Sequence, residues 1–406
     1  MMYNEAIEYI HTRNMYAKKD GLNNITALCQ ALGNPQDRLK IIHIAGTNGK
    51  GSVAAFISTS LKMAGYRVGT CISPFITIFN ERIQINGEYI SDSDLADYTT
   101  RLADINVAVT EFEFITALAF MYFAEKGCDY VVLEAGMGGR FDATNVIKTS
   151  VASVLTLIDY DHMQFLGETI EEIANHKCGI IKNGGRVYSY YPQREEVQSA
   201  IKNTCEQMDA TLTYAKPVED AEFILGKTTF NYDGDVWELG MDGKYQPYNG
   251  ALAIEVLKGL GIEKKHIKDG LKTAFMPCRF QVAGTDPYLI FDGAHNISGC
   301  MALRESIEKY IDTKPVIIFG MSSDKQYKEC IKILAPLAST FVVTGFENIR
   351  STDKDVLRLA AEEYCDSVIC TDTIAQAMKL DFSGRDRIVC GSLYLVSEGA
   401  SQVEMS

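Results

Sequence analysis

The sequence lacks the features that mark nucleic-acid-binding, secreted and membrane proteins. It has no cluster of Lys and Arg, and 53 acidic against 39 basic residues give a formal charge of −14. Because a non-specific nucleic-acid binder needs clustered cations to neutralise phosphates, we expect no nucleic-acid partner. No apolar run reaches the roughly 18 residues of a membrane-spanning helix, and the N-terminal segment lacks the basic start of a signal peptide. We therefore expect a cytoplasmic protein that does not bind membranes.

Paired cysteine motifs are also missing. The eleven cysteines are scattered without any C-x-x-C pair, so the pattern indicates neither a disulfide framework nor a zinc site. This cysteine usage is typical of a reducing compartment. What the chain does have is length and apolar content: 406 residues, 47% of them hydrophobic, suffice for two or three domains with a large core.

A glycine-rich turn lies between a predicted strand and a predicted helix in residues 40–61, KIIHIAGTNGKGSVAAFISTSL. Such a turn gathers backbone N–H groups at a helix N-terminus, where phosphates bind. Lys50 supplies an ammonium for the outer phosphates, and Ser52 offers a hydroxyl to magnesium. The match to the usual P-loop is imperfect, because its first glycine would fall on Ile44 and Gly51 separates Lys50 from Ser52. A plain connection with an exposed lysine therefore stays an alternative.

Polar side chains follow two further predicted strands. The apolar run 130–133 ends on Glu134, and the run 150–157 is followed by Asp159 to His162. The carboxyl ends of parallel strands meet at one sheet edge, where α/β proteins bind nucleotides. Glu134 is therefore predicted to bind magnesium or to orient a water that does. His162 lies at the same edge, although a lone histidine is often only structural.

Alternating strand and helix patterns predict an α/β protein with two domains: a P-loop-type parallel-sheet ATPase domain, residues 1–283, and a smaller Rossmann-like α/β domain, residues 284–406. Helical spacing is seen over residues 1–39. The segment 75–90, with its Asn86-Gly87 turn, is predicted to be either a lid or a hairpin that covers the sheet. Strands of the second domain are predicted at residues 288–291, 316–319, 340–344, 367–370 and 388–391.

Eight segments together resemble the folylpolyglutamate synthase and dihydrofolate synthase family, within the Mur-ligase-like ATP-dependent amide ligases. They are HIAGTNGKGS, SPFITIFNERI, EFEFITALAF, VLEAGMGGRFDATN, DHMQFLG, IANHKCGIIK, FDGAHN and CGSLYLV. The resemblance implies that ATP phosphorylates the carboxylate of a folate or of dihydropteroate and that the amine of L-glutamate then displaces phosphate. It implies a monomer whose active site closes when its domains meet. The expected acceptor is tetrahydrofolate, with dihydropteroate as a second one.

The same resemblance assigns roles to residues at matching positions. The implied catalytic residues are Lys50, Lys177 and His295, and the implied ATP-binding residues are Asn48, Gly49, Lys50, Gly51, Ser52, Asn249, Arg279 and Asp292. The implied Mg²⁺ ligands are Ser73, Glu134, His162 and Lys177, the last as a carbamate. The folate-side residues are expected to be Asn23, Glu113, Phe114, Arg140 and Asp142. Plainer interpretations remain: Ser73 as a strand terminator, Arg279 as a surface linker residue and Asn249 as a helix N-cap.

Three positions depart from the family pattern: Phe75 stands where histidine is frequent, His176 where glutamate is common and Cys278 where glycine is usual. Two other functions are alternatives. A peptidoglycan Mur ligase needs a UDP-sugar domain, for which roughly 40 residues before the turn are too few. A catalytically inactive nucleotide-binding relative would be expected to have lost phosphate and metal ligands, which this sequence retains.

Overall fold

The computed structural model describes residues 1–13, 21–382 and 384–403. The chain forms two compact units: unit 1 comprises Met1–Pro217 and Tyr248–Ala274, and unit 2 comprises Val218–Pro247 and Phe275–Ser406. The predicted division at residues 283 and 284 stays a prediction. The compact units divide the chain at other places, because residues 218–247 pack with the C-terminal part.

Unit 1 contains an eight-stranded sheet. Its strands are β1 (Ile41–Ala45), β2 (Val68–Cys71), β3 (Ile83–Ile85), β4 (Glu88–Tyr89), β5 (Tyr130–Glu134), β6 (Ala152–Leu155), β7 (Arg186–Ser189) and β8 (Thr211–Tyr214). They lie in the order β4-β3-β2-β5-β1-β6-β7-β8, and the six from β2 to β8 are parallel. The central strands are buried along almost their whole length, which is why their sequences are continuous apolar runs.

The helices of this unit flank the sheet. They are α1 (Tyr3–His11), α2 (Asn23–Ala31), α3 (Lys50–Met63), α4 (Asp92–Ala103), α5 (Glu111–Glu125), α6 (Met163–Leu166), α7 (Ile170–Cys178), α8 (Glu195–Gln207), α9 (Gln246–Gly259) and α10 (Lys264–Thr273). The helical prediction for residues 1–39 is confirmed by α1 and α2, and its part at residues 14–20 lies outside the described residues. Because α9 begins at Gln246, the interpretation of Asn249 as an N-cap is wrong.

The segment 75–90 ends in a β-hairpin. Asn86 and Gly87 have φ of 53° and 82°, and Ile85 pairs with Glu88 across them, as in a two-residue hairpin turn. The predicted hairpin is thus present as β3 and β4, but β3 pairs with β2, so the hairpin extends the edge of the sheet and does not cover it. The preceding loop is organised by the buried Glu81, whose carboxylate accepts hydrogen bonds from three consecutive backbone N–H groups at residues 76–78. That contact explains the acidic residue in the NERI segment, and the lid prediction stays untested.

Unit 2 contains two sheets. The first is antiparallel, in the order β11-β10-β9, from β9 (Glu219–Ile224), β10 (Lys227–Tyr232) and β11 (Asp235–Leu239). The second has the order β12-β13-β17-β14-β15-β16, from β12 (Gln281–Gly284), β13 (Leu289–Phe291), β14 (Val316–Phe319), β15 (Thr340–Thr344), β16 (Val368–Thr371) and β17 (Arg387–Cys390). Its helices are α11 (Ile297–Tyr310), α12 (Tyr327–Leu334), α13 (Lys354–Ala361), α14 (Ile374–Met378) and α15 (Leu393–Ala400).

The predicted fold class is confirmed. All strands of the larger sheet in unit 2 are parallel except β12, and each of the five predicted strands lies within one residue of an observed one. The antiparallel β12 was not predicted. None of the helices in the described ranges has the length and apolar character needed to cross a lipid bilayer.

Candidate active site

The glycine-rich turn joins β1 to α3 and is held to the end of the neighbouring β6. The N–H groups of Thr47 and Asn48 donate to Leu157 O at 2.7 and 3.2 Å, and Thr47 Oγ1 donates to Asp159 O at 2.8 Å. Gly49 has φ of 88°, and a Cβ built there would lie 2.5 Å from Asn249 Oδ1. Only glycine therefore fits at this position, and α9 lies directly against the turn.

Lys50 is the first residue of α3 and folds back over this turn. Its Nζ lies 3.3 Å from Gly46 O, 3.4 Å from Thr47 O and 3.8 Å from Glu134 Oε1. The side chain is only 17% exposed, so the alternative of an exposed lysine on a plain connection is wrong. Ser52, one turn into the helix, is fully buried. An ammonium is thus fixed at the helix N-terminus, where phosphate oxygens bind.

Glu134 is the last residue of β5 and is only 4% exposed. The parallel pairing of β1 with β5 places it opposite Ile44, directly before the turn. The N–H of Ser73 donates to Glu134 Oε2 at 3.4 Å. The structure therefore brings together Lys50, Glu134 and Ser73, three of the residues that the sequence assigned to phosphate and metal binding.

Lys177 lies in the last turn of α7 and is 2% exposed. Its Nζ donates to Gly46 O at 2.8 Å, so two lysine side chains share one carbonyl oxygen, Lys50 being the other. Burial and the Lys50 charge lower the pKa of Lys177 to about 7, against the opposing effect of Asp161 and Asp142. A second ammonium here is therefore electrostatically unfavourable.

His162 precedes α6 in the left-handed conformation, with φ of 52°, and its side chain is 37% exposed. Its N–H donates to Asp161 Oδ1 at 2.8 Å, and its Nε2 lies 3.8 Å from Asp161 Oδ2. Asp161 is the buried member of this pair, and its charge raises the pKa of Lys177. Asp161 was not predicted as a site residue, although an acid beside a histidine at a strand end is itself a signal of a site.

The donors present fit an open magnesium site better than an enclosed one. Within residues 1–13, 21–382 and 384–403, no three His, Cys, Asp or Glu side chains lie close enough to enclose a metal ion. Mg²⁺ is usually bound through one or two carboxylates, with waters and substrate phosphates completing its shell. Glu134, with Ser73 beside it, provides such a partial set of oxygen donors.

Asp142, predicted on the folate side, organises the loop that follows β5. Its Oδ2 accepts from the N–H of Met137 at 2.8 Å, and its Oδ1 accepts from Thr144 Oγ1 at 2.5 Å. The backbone N–H of Arg140 donates to His176 O at 2.7 Å, while the Arg140 side chain is exposed. The loop thus rests on the end of α7. Asn23 is exposed and is the first residue of α2, and its assignment to the folate side stays a prediction.

Glu113 and Phe114 have structural contacts in α5. Thr110 and Glu113 form a capping box: the N–H of Thr110 donates to Glu113 Oε2 at 2.7 Å, and the N–H of Glu113 donates to Thr110 Oγ1 at 3.2 Å. Phe114 is 2% exposed and packs edge-on against Tyr9. Their assignment to the folate side stays a prediction, and the T-x-x-E spacing is a sequence signal of the capping box.

Thr110→Ala and Glu113→Ala are each expected to lower the free energy of unfolding by about 1 kcal/mol, since each removes one half of a capping box. Urea denaturation would measure the loss. The double variant should lose less than the sum of the two, because both changes remove the same cap. If Glu113→Ala kept wild-type stability but raised KM for the acceptor substrate, the folate-side role would be favoured instead.

Asp292 is the centre of the polar cluster in unit 2. It directly follows β13 and is 4% exposed. Its Oδ2 accepts from Tyr245 OH at 3.0 Å and from the N–H of Phe280 at 2.9 Å, and its Oδ1 accepts from the N–H of Ala294 at 2.8 Å. Burial raises the pKa of Asp292 and the Arg279 charge opposes this. His295 Nδ1 lies 2.7 Å from Gly293 O.

Arg279 lies in a sharply bent segment next to this cluster. Its neighbours Cys278 and Phe280 have φ of 57° and 49°, a conformation rarely adopted by such residues. Arg279 Nη1 donates to Cys278 O at 3.2 Å, and a Cβ at Gly293 would overlap the guanidinium. The interpretation of Arg279 as a surface linker residue is therefore wrong, since the half-buried side chain packs against Gly293.

Two family models match the chain: the Mur ligase middle domain over residues 44–257, and the Mur ligase glutamate ligase domain over residues 278–391. The dihydrofolate synthase/folylpolyglutamate synthase of Bacillus subtilis is 34% identical, over 98% of this chain and 98% of that protein. The chain belongs to the folylpolyglutamate synthase and dihydrofolate synthase family of Mur-type ligases.

Two further members of this family are similar over nearly their whole length. The folylpolyglutamate synthase of Lacticaseibacillus casei is 34% identical, covering 98% of this chain and 97% of that protein. The structure of Mycobacterium tuberculosis folylpolyglutamate synthase complexed with ADP and AMPPCP matches with a TM-score of 0.90 and 27% identity, covering 100% of this chain and 98% of that one.

The three departures from the family pattern have local structural contexts. Cys278 is fully buried in the left-handed conformation, which explains why glycine suits this position in relatives. The Arg82 guanidinium lies over the Phe75 ring, with its Cζ 5.1 Å from the ring centroid. Burial and the Arg140 charge lower the pKa of His176, which favours the neutral imidazole beside Lys177.

Proposed function

We propose that this protein is an ATP-dependent ligase that joins L-glutamate to a folate acceptor through an acyl phosphate. The observation that carries the proposal is Lys50 Nζ, held over a glycine-rich turn at the start of α3 and 3.8 Å from Glu134 Oε1. That arrangement suits a nucleotide triphosphate with a divalent cation. Relatives of the same length carry the names of this reaction, and one was solved with ADP and AMPPCP.

In the proposed mechanism the turn binds and orients the phosphates of ATP. Gly49 is the N-cap of α3, Gly51 and Ser52 lie in its first turn, and the backbone N–H groups of this turn are proposed to bind the phosphates. Asn48 precedes the N-cap, and Asn249 lies against Gly49. Lys50 neutralises charge on the γ-phosphoryl group as it moves to the acceptor carboxylate. Glu134 and Ser73 would hold Mg²⁺, with His162 on the same side, and the ion supplies further neutralisation of that charge.

We propose that Lys177 is carbamylated. The neutral amine attacks the carbon of CO₂, an N–C bond forms while one C=O π bond opens to a C–O⁻ group, and the nitrogen gives up a proton to water. The product is an anionic oxygen donor in place of an amine. The support is local: Lys177 is buried, its pKa is lowered to about 7, and it shares Gly46 O with Lys50. Carbamylation would replace repulsion between two ammonium groups with attraction.

Unit 2 is proposed to contribute Arg279 and Asp292 to ATP binding and His295 to the glutamate step. The carbonyl of Gly293 accepts from His295 Nδ1, so Nε2 is the unprotonated nitrogen of the neutral ring. Such a nitrogen is suited to take the proton that the glutamate amine loses on attack. This role is consistent with the position of His295 three residues after Asp292, in the segment just beyond β13.

The proposed acceptor is tetrahydrofolate, with dihydropteroate as a second one. The bifunctional relative and the relative named only for polyglutamylation are equally similar, at 34% identity each, so similarity does not decide between them. Purified protein should release ADP with ATP, magnesium and L-glutamate when either acceptor is added, and not when glutamate is omitted. Release with tetrahydrofolate alone would restrict the function to polyglutamylation, and no release with either would contradict the proposal.

We also propose that the enzyme is a cytoplasmic monomer. All eleven cysteines are unpaired thiols, and eight of them are buried, which suits a reducing compartment. Light scattering of the purified protein should give the mass of one chain, 45.0 kDa, and twice that mass would contradict the monomer.

A further inference from the structure

A fully buried histidine lies in β1, the strand that leads into the phosphate-binding turn. His43 is 0% exposed, its Nε2 lies 2.8 Å from Thr144 Oγ1, and its Nδ1 has no hydrogen-bond partner. Burial, together with the Lys182 charge, lowers the pKa of His43 to about 3, so the ring is neutral. Burying an unpartnered nitrogen costs free energy that an apolar side chain would avoid. A role for this side chain must therefore lie in its other ring nitrogen, Nε2.

The hydrogen bonds around Thr144 fix which ring nitrogen carries the proton. Thr144 Oγ1 donates its only hydrogen to Asp142 Oδ1, 2.5 Å away, so it must accept from His43. The imidazole is therefore the Nε2–H tautomer. Asp142 Oδ2 in turn accepts from the N–H of Met137. A continuous chain of hydrogen bonds thus runs from β1 to the loop that follows Glu134.

The adjacent residue ties the same loop to α7. Asn145 Nδ2 donates to Arg140 O at 3.1 Å and to Gly179 O at 3.0 Å, and Lys182 Nζ donates to Asn145 Oδ1 at 2.7 Å. A Cβ at Gly139 would lie 2.8 Å from Lys177 O, so the loop touches the helix end that carries Lys177. Residues 142–145 therefore set the position of the loop against Lys177.

We propose that His43 is a positioning residue for the ligase reaction: its Nε2–H orients Thr144, which holds Asp142 and the loop after β5 in place beside Lys177. The inference rests on the proposed function, since it concerns the same site. His43 touches no reacting atom and acts through Thr144. The reaction requires the Nε2–H donor. A histidine that provides this donor also buries Nδ1 without a hydrogen-bond partner, which costs free energy.

The test compares His43→Met, which removes the donor, with His43→Gln, whose Nε2 can still donate, and with Thr144→Val. His43→Met and Thr144→Val should each lower kcat by about 10- to 100-fold, as expected for a small displacement of catalytic groups, with KM for ATP within about twofold of wild type. His43→Gln should stay within about threefold of the wild-type kcat. The His43→Met/Thr144→Val double variant should be no slower than either single one, because both break the same chain.

Thr116→Val is the matched control, because Thr116 is also fully buried but its hydroxyl donates only within α5, to Phe112 O at 2.7 Å. It should keep kcat and KM unchanged. Wild-type kcat in His43→Met, or equal losses in His43→Met and His43→Gln, would overturn the proposal. The melting temperatures of all variants would distinguish a loss of folding from a loss of positioning. If the other variants do not fold, the kcat of His43→Gln tests the proposal.

A measurement that does not depend on catalytic activity tests this inference separately from the proposed function. A ¹⁵N spectrum of the histidine rings should show one neutral Nε2–H tautomer that does not titrate between pH 5 and 8, and it should disappear in His43→Gln, which assigns it among the six histidines. An Nδ1–H tautomer would overturn the positioning chain even in an active enzyme. An inactive wild-type protein with the expected spectrum would instead contradict the ligase function.

Discussion

Lys50→Ala is expected to lower the turnover of glutamate-dependent ADP release by about 10²- to 10³-fold, the scale reported for removing one preorganised charge or donor from a transition state. The reason lies in the position of the ammonium, at the first residue of α3 and over the turn that orients the phosphates. As the phosphoryl group moves to the acceptor, its oxygens need a fixed positive charge, and bulk water provides this poorly. The loss should appear in kcat more than in KM for the acceptor.

Lys62→Ala is the matched control for this prediction, since Lys62 lies in the last turn of the same helix and is exposed. It should keep the wild-type rate. Both variants should unfold at similar urea concentrations, because neither side chain contributes to the apolar core. A Lys50→Ala rate within about threefold of wild type would show that the turn does not bind the reacting phosphates.

The phosphate-binding half of the site could be predicted from sequence because it depends on local pattern. A β-branched run, a glycine-rich turn and a helical spacing fix the order strand, turn and helix, and parallel strands bring their carboxyl ends to one edge. Glu134 was found for that reason: the sheet order places β5 beside β1. The position of the carboxylate at a strand end was enough for that inference.

Other acidic residues could not be interpreted from sequence because their partners are not evident in it. Glu81 binds three backbone N–H groups of its own loop, Glu113 completes a helix cap, and Asp142 binds Met137 and Thr144. The residue type alone does not distinguish a carboxylate that accepts hydrogen bonds from backbone N–H groups from one that binds a substrate. The hydrogen bond from His43 to Thr144 spans 101 residues, so no local pattern reveals it.

The extent of unit 2 was likewise hidden from the sequence. Residues 218–247 form an antiparallel sheet in the middle of the chain, yet they pack with the C-terminal part, where Thr228 Oγ1 lies 2.7 Å from Tyr310 OH. Side-chain periodicity predicts strands but does not say which distant surface they cover. The predicted boundary at residues 283 and 284 divides the chain once, whereas the compact units divide it after Pro217, Pro247 and Ala274.

Lys177→Ala is expected to abolish detectable ligation and to recover part of it when a short carboxylic acid such as acetate is added. The substitution removes a fully buried side chain whose Nζ lies 2.8 Å from Gly46 O, and it leaves a space of the right length for a small carboxylate beside the turn. If the working form of Lys177 is a carbamate, its contribution is an anionic oxygen, and an added carboxylate can supply the same atom type. A lysine that acted as a cation would not be replaced by an anion.

Lys182→Ala is the control that distinguishes the loss of a carbamate at Lys177 from the loss of any buried lysine. Burial lowers the pKa of Lys182 to about 8, but its Nζ donates to Asn145 Oδ1 and Ile147 O, both at 2.7 Å, away from the phosphate-binding turn. Its loss should reduce stability and should not respond to acetate. Protein equilibrated with ¹³C-labelled bicarbonate should show one carbamate carbon that is present in Lys182→Ala and absent in Lys177→Ala. Full activity of Lys177→Ala, or a wild-type spectrum without that carbon, would contradict the carbamate.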